Sequence, residues 1–291
     1  MLDQVTNCGA RALFNTEVTK LNRSPGSDVT SLVVRTGHGE KACEEEITCD
    51  RLLIAAGPWT AKLFKSVFPN ANFDVPIEAD TGSYSMLLRM SPQHLPEREW
   101  LNKSVVLHSD HMHSLQLMVR KDGLIHAATI PPVTLNFGSA SVSGGIERVG
   151  NDLQNLEAEI QSMLSVPSEV ISRRACFSPI TQSGLPIMSK VPSAWLGLEN
   201  DGIHRGERKS AVYVMGGHGY WGVAASLGSG KLMAQLMLGR ETDIDMTEFC
   251  LESQCTHSGQ RNQLAMSGVT ALGGKLTKPW WTACWSCLGS R

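Results

Sequence analysis

The residues best suited to chemistry in this sequence stand seven in a row, Gly216-Gly-His-Gly-Tyr-Trp-Gly222. Before them runs Ala211-Val-Tyr-Val-Met215, which reads as a buried strand. After them come a small-residue stretch (224–230) and Lys231–Leu238, which reads as a helix closed by Gly239. Strand, glycine-rich turn and helix together aim backbone amides and a positive helix end at an electron-rich ligand edge. The plainer reading of such a turn is a tight bend that binds nothing. His218 also has two readings. Its imidazole either lies against a bound ring and tunes its electronics, or packs in place while neighbouring backbone does the binding. Trp221 is a pocket wall or a core residue.

Other residue groups invite metal or redox chemistry. In His108-Ser-Asp-His-Met-His113 a strand would place His111 and His113 on one face, as two ligands require, but a hairpin turn also suits this stretch. Cys284 and Cys287 have the spacing of half a zinc site or of a redox pair, with no second pair to complete it. They fall in residues 250–291, where four of the eight cysteines and three of the seven tryptophans gather and no helical or strand period is sustained. This tail is expected to be irregular.

The elements that must position these residues follow from periodicity. Phe14–Leu21 alternates apolar and polar residues, and after the turn cluster 22–28, Val29–Thr36 returns as a second strand. Arg51-Leu-Leu-Ile-Ala-Ala-Gly57 is an apolar run ending in small residues, the pattern of a buried strand in a layered sheet. Pro58 and Trp59 lead into a short helix over Thr60–Phe68, with Thr60 near its cap. Between 76 and 136 the pattern is of strands, at 83–89, 104–108, 114–120 and 124–129, the last two joined by a turn at Lys121-Asp-Gly123. Residues 151–164 have helical spacing and stop before Pro167.

The chain has 291 residues, 42% of them hydrophobic, and a formal net charge of -2. That suffices for one large domain or two ordinary ones. The near-neutral balance gives no electrostatic reason to expect nucleic acid or an anionic membrane, and no apolar run approaches the roughly 18 residues of a membrane-spanning helix. No charged-then-apolar leader opens the chain, and the cysteines form no regular framework, so a reducing, cytoplasmic setting is expected.

Four segments, in order across residues 9–249, resemble the FAD-dependent D-amino-acid oxidase family, which includes glycine oxidase and sarcosine oxidase. They are Gly9-Ala-Arg with Thr16–Leu21; Cys49-Asp-Arg-Leu-Leu-Ile-Ala-Ala-Gly-Pro-Trp-Thr60; Val119-Arg-Lys-Asp-Gly123; and Ala175–Ile187 with Gly216–Gly222. The resemblance implies an α/β fold, with α+β character: an incomplete Rossmann-like FAD-binding part at 1–75 and 168–249 around an antiparallel, β-rich substrate part at 76–167. It implies FAD as cofactor and a small amine or amino-acid derivative as substrate, oxidised at a C–N bond by hydride transfer. It assigns Val18 to the adenine, Ala55, Ala56 and Gly57 to close backbone approach, and Gly217, His218, Gly219, Trp221 and Gly222 to the flavin's N1–C2 edge, with Trp59, Gly216 and Tyr220 as further cofactor-binding residues. Cys176, five residues before Thr181, has the spacing of a thioether-linked flavin in some relatives; the alternative is a small buried cysteine.

Two departures qualify what is implied. No GxGxxG with a following acidic residue is present, so the pyrophosphate site is absent from this sequence and FAD binding by it is in doubt. A partner covering an exposed sheet edge and a non-catalytic role therefore stand as alternatives, as does oxidation of another CH–X bond. And Ser178 occupies the place where the amino-acid oxidases carry a carboxylate-binding arginine; Arg89, Arg120 and Arg174 are the candidates to replace it. No catalytic base and no metal ligand is assigned.

Overall fold

The structure, a computed structural model, describes residues 2–23, 29–78, 81–91, 93, 98–107, 114–130, 133–134, 157–158, 160–162, 164, 168–197 and 211–257. The fold is mixed α and β. It divides into two compact units, one of Met1–Pro76, Ile187–Met215 and Ala224–Arg291, the other of Ile77–Pro186 and Gly216–Val223.

In the first unit α1 (Leu2–Asn7) precedes an antiparallel meander of β1 (Thr16–Arg23), β2 (Val29–Thr36) and β3 (Cys43–Thr48). Alternation makes these strands: Val29, Ser31 and Val34 turn inward while the residues between them stay exposed or half-buried. Three consecutive glutamates hide β3 from a hydrophobicity reading. Each finds a partner on the sheet surface: Arg35 for Glu44 at 3.0 Å, Arg11 for Glu45 at 2.8 Å, and Asn22 for Glu46 at 2.8 Å.

β4 (Arg51–Ile54) then runs parallel to β12 (Ala211–Gly216), with Leu52 opposite Val212 and Ile54 opposite Val214. β11 (Ile187–Lys190) lies on the other side of β12, so β4 is an edge of this three-stranded sheet. α2 (Thr60–Val67) follows β4. Its Phe64, together with Phe68, Phe73 and Trp195, forms a chain of tilted ring pairs with centroids 5.0–5.1 Å apart. Trp59, not Thr60, is the cap residue of α2, and the buried Thr60 hydroxyl has no partner among the described residues.

α3 (Gly222–Met237) begins nine residues before the helix expected at 231. Its buried residues Ala225, Gly228, Ser229, Leu232 and Met233 fall at helical spacing, a small-residue stripe that lets the backbone pack closely. The tail also starts with order: α4 (Leu251–His257) buries Leu251 and Cys255, which corrects the expectation of an irregular stretch from 250. Cys284 and Cys287 lie outside the described residues.

The second unit is an antiparallel sheet of β5 (Thr81–Met90), β6 (Ser104–Leu107), β7 (Ser114–Val119), β8 (Ile125–Ile130) and β10 (Ser168–Phe177), in the order β10-β5-β8-β7-β6, with β9 (Val133–Thr134) on β5. The expected hairpin closes β7 to β8: Gly123 has φ +79°, its amide donates to the Arg120 carbonyl at 2.9 Å, and Asp122 Oδ1 accepts from Leu124 N. One face of the sheet is apolar. Tyr84, Met86, Leu88, Leu115, Ile125 and Ala127 pack there with Ile160, which belongs to the helical residues seen between 157 and 164. The boundary expected after 167 falls instead after Pro186, because β10 is bonded along its length to β5.

Candidate functional site

The glycine-rich turn is held by a backbone clasp within the second unit. Ile180, three residues beyond β10, exchanges two hydrogen bonds with Glu78, at 2.9 and 2.7 Å, and forms a bridge to His218. The Gly219 amide donates to the Pro179 carbonyl at 2.8 Å. The turn is thus an extra strand segment laid against 179–181 before the chain coils through a 3₁₀ turn, Gly219–Trp221, into α3.

Gly217 is the residue this geometry cannot exchange. Its φ is +76°, and a Cβ there would sit 2.6 Å from Thr181 Cγ2. Thr181 has no room to yield: it is buried, and its hydroxyl donates to the Leu185 carbonyl at 2.6 Å. Gly219, at φ +54°, would meet Ile180 Cγ2 at 3.4 Å.

The amides of the turn divide into two sets. Those of Gly219 and Trp221 are bound, to Pro179 and to His218 respectively. The Gly217 amide has no hydrogen bond among the described residues, and the 3₁₀ turn runs on into α3 without a break. Burial holds the His218 imidazole below the usual histidine range, so it is neutral at pH 7. No acidic residue occurs between 211 and 230. Tyr220 and Trp221 are about half exposed and Val223 is 92% exposed, so Trp221 is not a core residue.

The cofactor residues assigned from β1 and from the end of β4 lie in the first unit. Ala55 is exposed and Ala56, Gly57 and Trp59 are half-buried where β4 ends. Gly57 has φ +56°, with nothing within 4 Å of an added Cβ, so glycine is required there by the bend and the backbone lies open to close approach. Val18 is half-buried opposite Val34, and a bulge between Val18 and Lys20 breaks the ladder just after it. Cys176 stands opposite Ser83 in the β10–β5 register. The histidine group at 108–113 lies outside the described residues. Among the described residues no cluster of three or more His, Cys, Asp or Glu could hold a metal ion, and no helix is long and apolar enough to cross a membrane. Sequence reading missed the clasp at Glu78 and Ile180 and the role of Thr181 in excluding a side chain at 217; no local pattern announces either.

Residues 1–236 match the FAD dependent oxidoreductase family, DAO. Among solved structures, the chain is similar to L-proline dehydrogenase from P. horikoshii (14% identity, TM-score 0.57, 88% of this chain and 58% of that one). It is also similar to L-amino acid deaminase from Proteus vulgaris with its specific insertion deleted (20%, 0.52, 86% and 52%). A third is iminodiacetate oxidase from Chelativorans sp. BNC1 (16%, 0.52, 85% and 55%). The chain spans little more than half the length of each. A flavin suits the residues present: a Gly217 amide with no partner among the described residues and a neutral imidazole, without acidic side chains, match a ring edge that gains negative charge on reduction.

Proposed function

The chain belongs to the FAD dependent oxidoreductase family DAO, and on that premise we propose that it serves the oxidation of a C–N bond in an amine or amino-acid derivative. When bound, the flavin supplies the acceptor for a hydride leaving the carbon, while the amine loses a proton to give the imine. The chain's own residues hold and polarise. The Gly217 amide would donate to the ring edge, His218 remains neutral beside it, and the clasp fixes the turn so that the donor need not reorganise. Val18 and Ala55–Gly57, with Trp59, approach the cofactor by backbone. The single observation that carries the reading is the Gly217 amide, without a partner among the described residues, at a position that admits no side chain.

The proposal extends to the setting. The free thiols of Cys8, Cys43, Cys49, Cys250 and Cys255 suit a reducing, cytoplasmic compartment. The outer edge of β4 is covered by a further polypeptide segment, since a parallel edge strand left open invites association. The test is an absorbance spectrum of the purified chain with added FAD, followed near about 450 nm before and after acid precipitation. Flavin released to the supernatant supports a non-covalent site, and flavin retained in the pellet supports attachment at Cys176. No flavin in either fraction favours the non-catalytic reading.

A further inference from the structure

The edge of the second unit's sheet at β6 carries exposed residues that the reading above does not use. β6 is the last strand in the order β10-β5-β8-β7-β6, and its residues Ser104, Val105 and Val106 are exposed. Just before it the chain turns tightly. The Lys103 amide donates to the Trp100 carbonyl at 3.1 Å, and Asn102 takes φ +63°. Two further bonds tie this turn to the end of β7: Asn102 N donates to the Val119 carbonyl at 2.7 Å, and Val119 N to the Lys103 carbonyl at 3.0 Å. The turn is thus fixed beside the β7–β8 hairpin. Between them lies a concavity of about 410 Å³ lined by Asn102, Met118, Val119, Arg120, Lys121 and Asp122.

Two kinds of side chain gather at this corner. Trp100, Val105, Val106 and Met118 are large and apolar, and each is more than a third exposed. Among them stand four cations, Arg98, Lys103, Arg120 and Lys121, against the two carboxylates of Glu99 and Asp122. The chain-wide balance, which gives no reason to expect an anionic membrane, averages this local positive excess away. Arg120 is held by Asp122 at 2.8 Å, while Arg98, Lys103 and Lys121 form no ion pair with any described residue. The Lys103 ammonium lies 5.4 Å from the centre of the Trp100 ring, so cation and indole sit together. An indole beside lysines suits the headgroup layer of a bilayer, where the ring meets the acyl boundary and the ammonium groups meet phosphate. A second copy of the chain would bring its own surplus of cations to this corner, whereas an anionic surface neutralises it. The open edge of β6 keeps unpaired amides and carbonyls, which the wet headgroup layer can satisfy and the hydrocarbon layer cannot. Contact is therefore shallow.

We propose that this corner, Trp100 and Met118 with Lys103 and Lys121, docks the protein on an anionic phospholipid surface, its cations against the headgroups and its indole at the acyl boundary. The association is peripheral, since no helix among the described residues is long and apolar enough to cross a membrane. It stands apart from the C–N oxidation proposed above and needs no flavin.

The test is sedimentation of the purified chain with vesicles of phosphatidylcholine, alone or with about 30% phosphatidylserine, at about 0.1 M salt. Binding to the anionic vesicles at least about tenfold tighter than to the neutral ones, and lost at about 0.5 M salt, is expected. Lys103→Gln and Lys121→Gln should each weaken it about fivefold, while Lys62→Gln, at an exposed position of the first unit, should leave it unchanged. Quenching of tryptophan fluorescence by brominated acyl chains should fall in Trp100→Phe. Equal binding to neutral vesicles, no binding, or equal weakening by Lys62→Gln overturns the proposal. Full competition by soluble glycerophosphoserine also overturns it, because the concavity would then hold a small anion rather than a surface. Self-association of the chain in sedimentation velocity, abolished by Val106→Glu, would assign β6 to a contact between copies and overturn it as well.

Discussion

Replacing Gly217 by alanine isolates the steric demand of the turn, because the second unit contains its own control. Gly184 has nearly the same backbone, φ +73° against +76°, but nothing lies within 4 Å of its added Cβ, whereas at 217 Thr181 Cγ2 stands at 2.6 Å. Gly184→Ala therefore pays for the left-handed conformation alone, about 1–2 kcal/mol. Gly217→Ala adds overpacking against a buried side chain, about 1–3 kcal/mol more, for a total of about 2–5 kcal/mol. Thr181→Ser removes the offending methyl and keeps the hydroxyl that donates to Leu185 at 2.6 Å. In the Gly217→Ala background it should restore about 1–3 kcal/mol, although alone it destabilises by roughly a methyl's worth, about 1 kcal/mol. Urea unfolding of the parent and the four variants, followed by tryptophan fluorescence and far-UV circular dichroism, measures all the terms. Equal losses at 217 and 184, or Thr181→Ser adding to the damage of Gly217→Ala instead of relieving it, would refute the argument.

Other outcomes follow from features already described. Among the glycines of the described residues, Gly197→Ala should be the most disruptive change, since its Cβ would clash with the Asn70 carbonyl oxygen and a backbone atom cannot swing away; loss of the cooperative thermal transition is expected. Tyr84→Phe should be neutral or stabilising by up to about 2 kcal/mol, because the buried Tyr84 hydroxyl has no partner among the described residues and its removal ends a desolvation penalty; a clear loss of stability in chemical denaturation would mean that a partner exists. For His218 the folded pKa lies below the unfolded value, so the unfolded chain takes up the proton first, and stability present above about pH 6.5 is lost as pH falls from there through the folded pKa. Denaturation midpoints at neutral and mildly acidic pH should differ less in His218→Gln than in the parent.

Sequence made the regular elements legible and left the exceptions hidden, for reasons that can be named. β2 falls on the residues its alternation marks, Val29–Thr36. β10 was not foreseen, because Arg173 and Arg174 stand adjacent in Ser168–Phe177 and a bulge between Val170 and Ser172 shifts the period. The first half of α3 was concealed by Gly228, Ser229 and Gly230, poor helix formers that close packing nonetheless favours. At the site, the glycine turn could be found from its spacing. Which of its amides are bonded could not, since Pro179 and Ile180 reach it across the fold rather than along the chain.

β10, which carries Arg174, acts as a ruler with coarse graduations. Side chains return to the same face only every second residue, so a charge can be relocated along β10 in steps of roughly 7 Å and no finer. A single-residue insertion before Arg174 would not lengthen the reach slightly; it would send the guanidinium through the sheet into the company of Met86 and Tyr84. Change in the position of a charge along such a strand is therefore stepwise, and the sheet allows no graded shift between one step and the next.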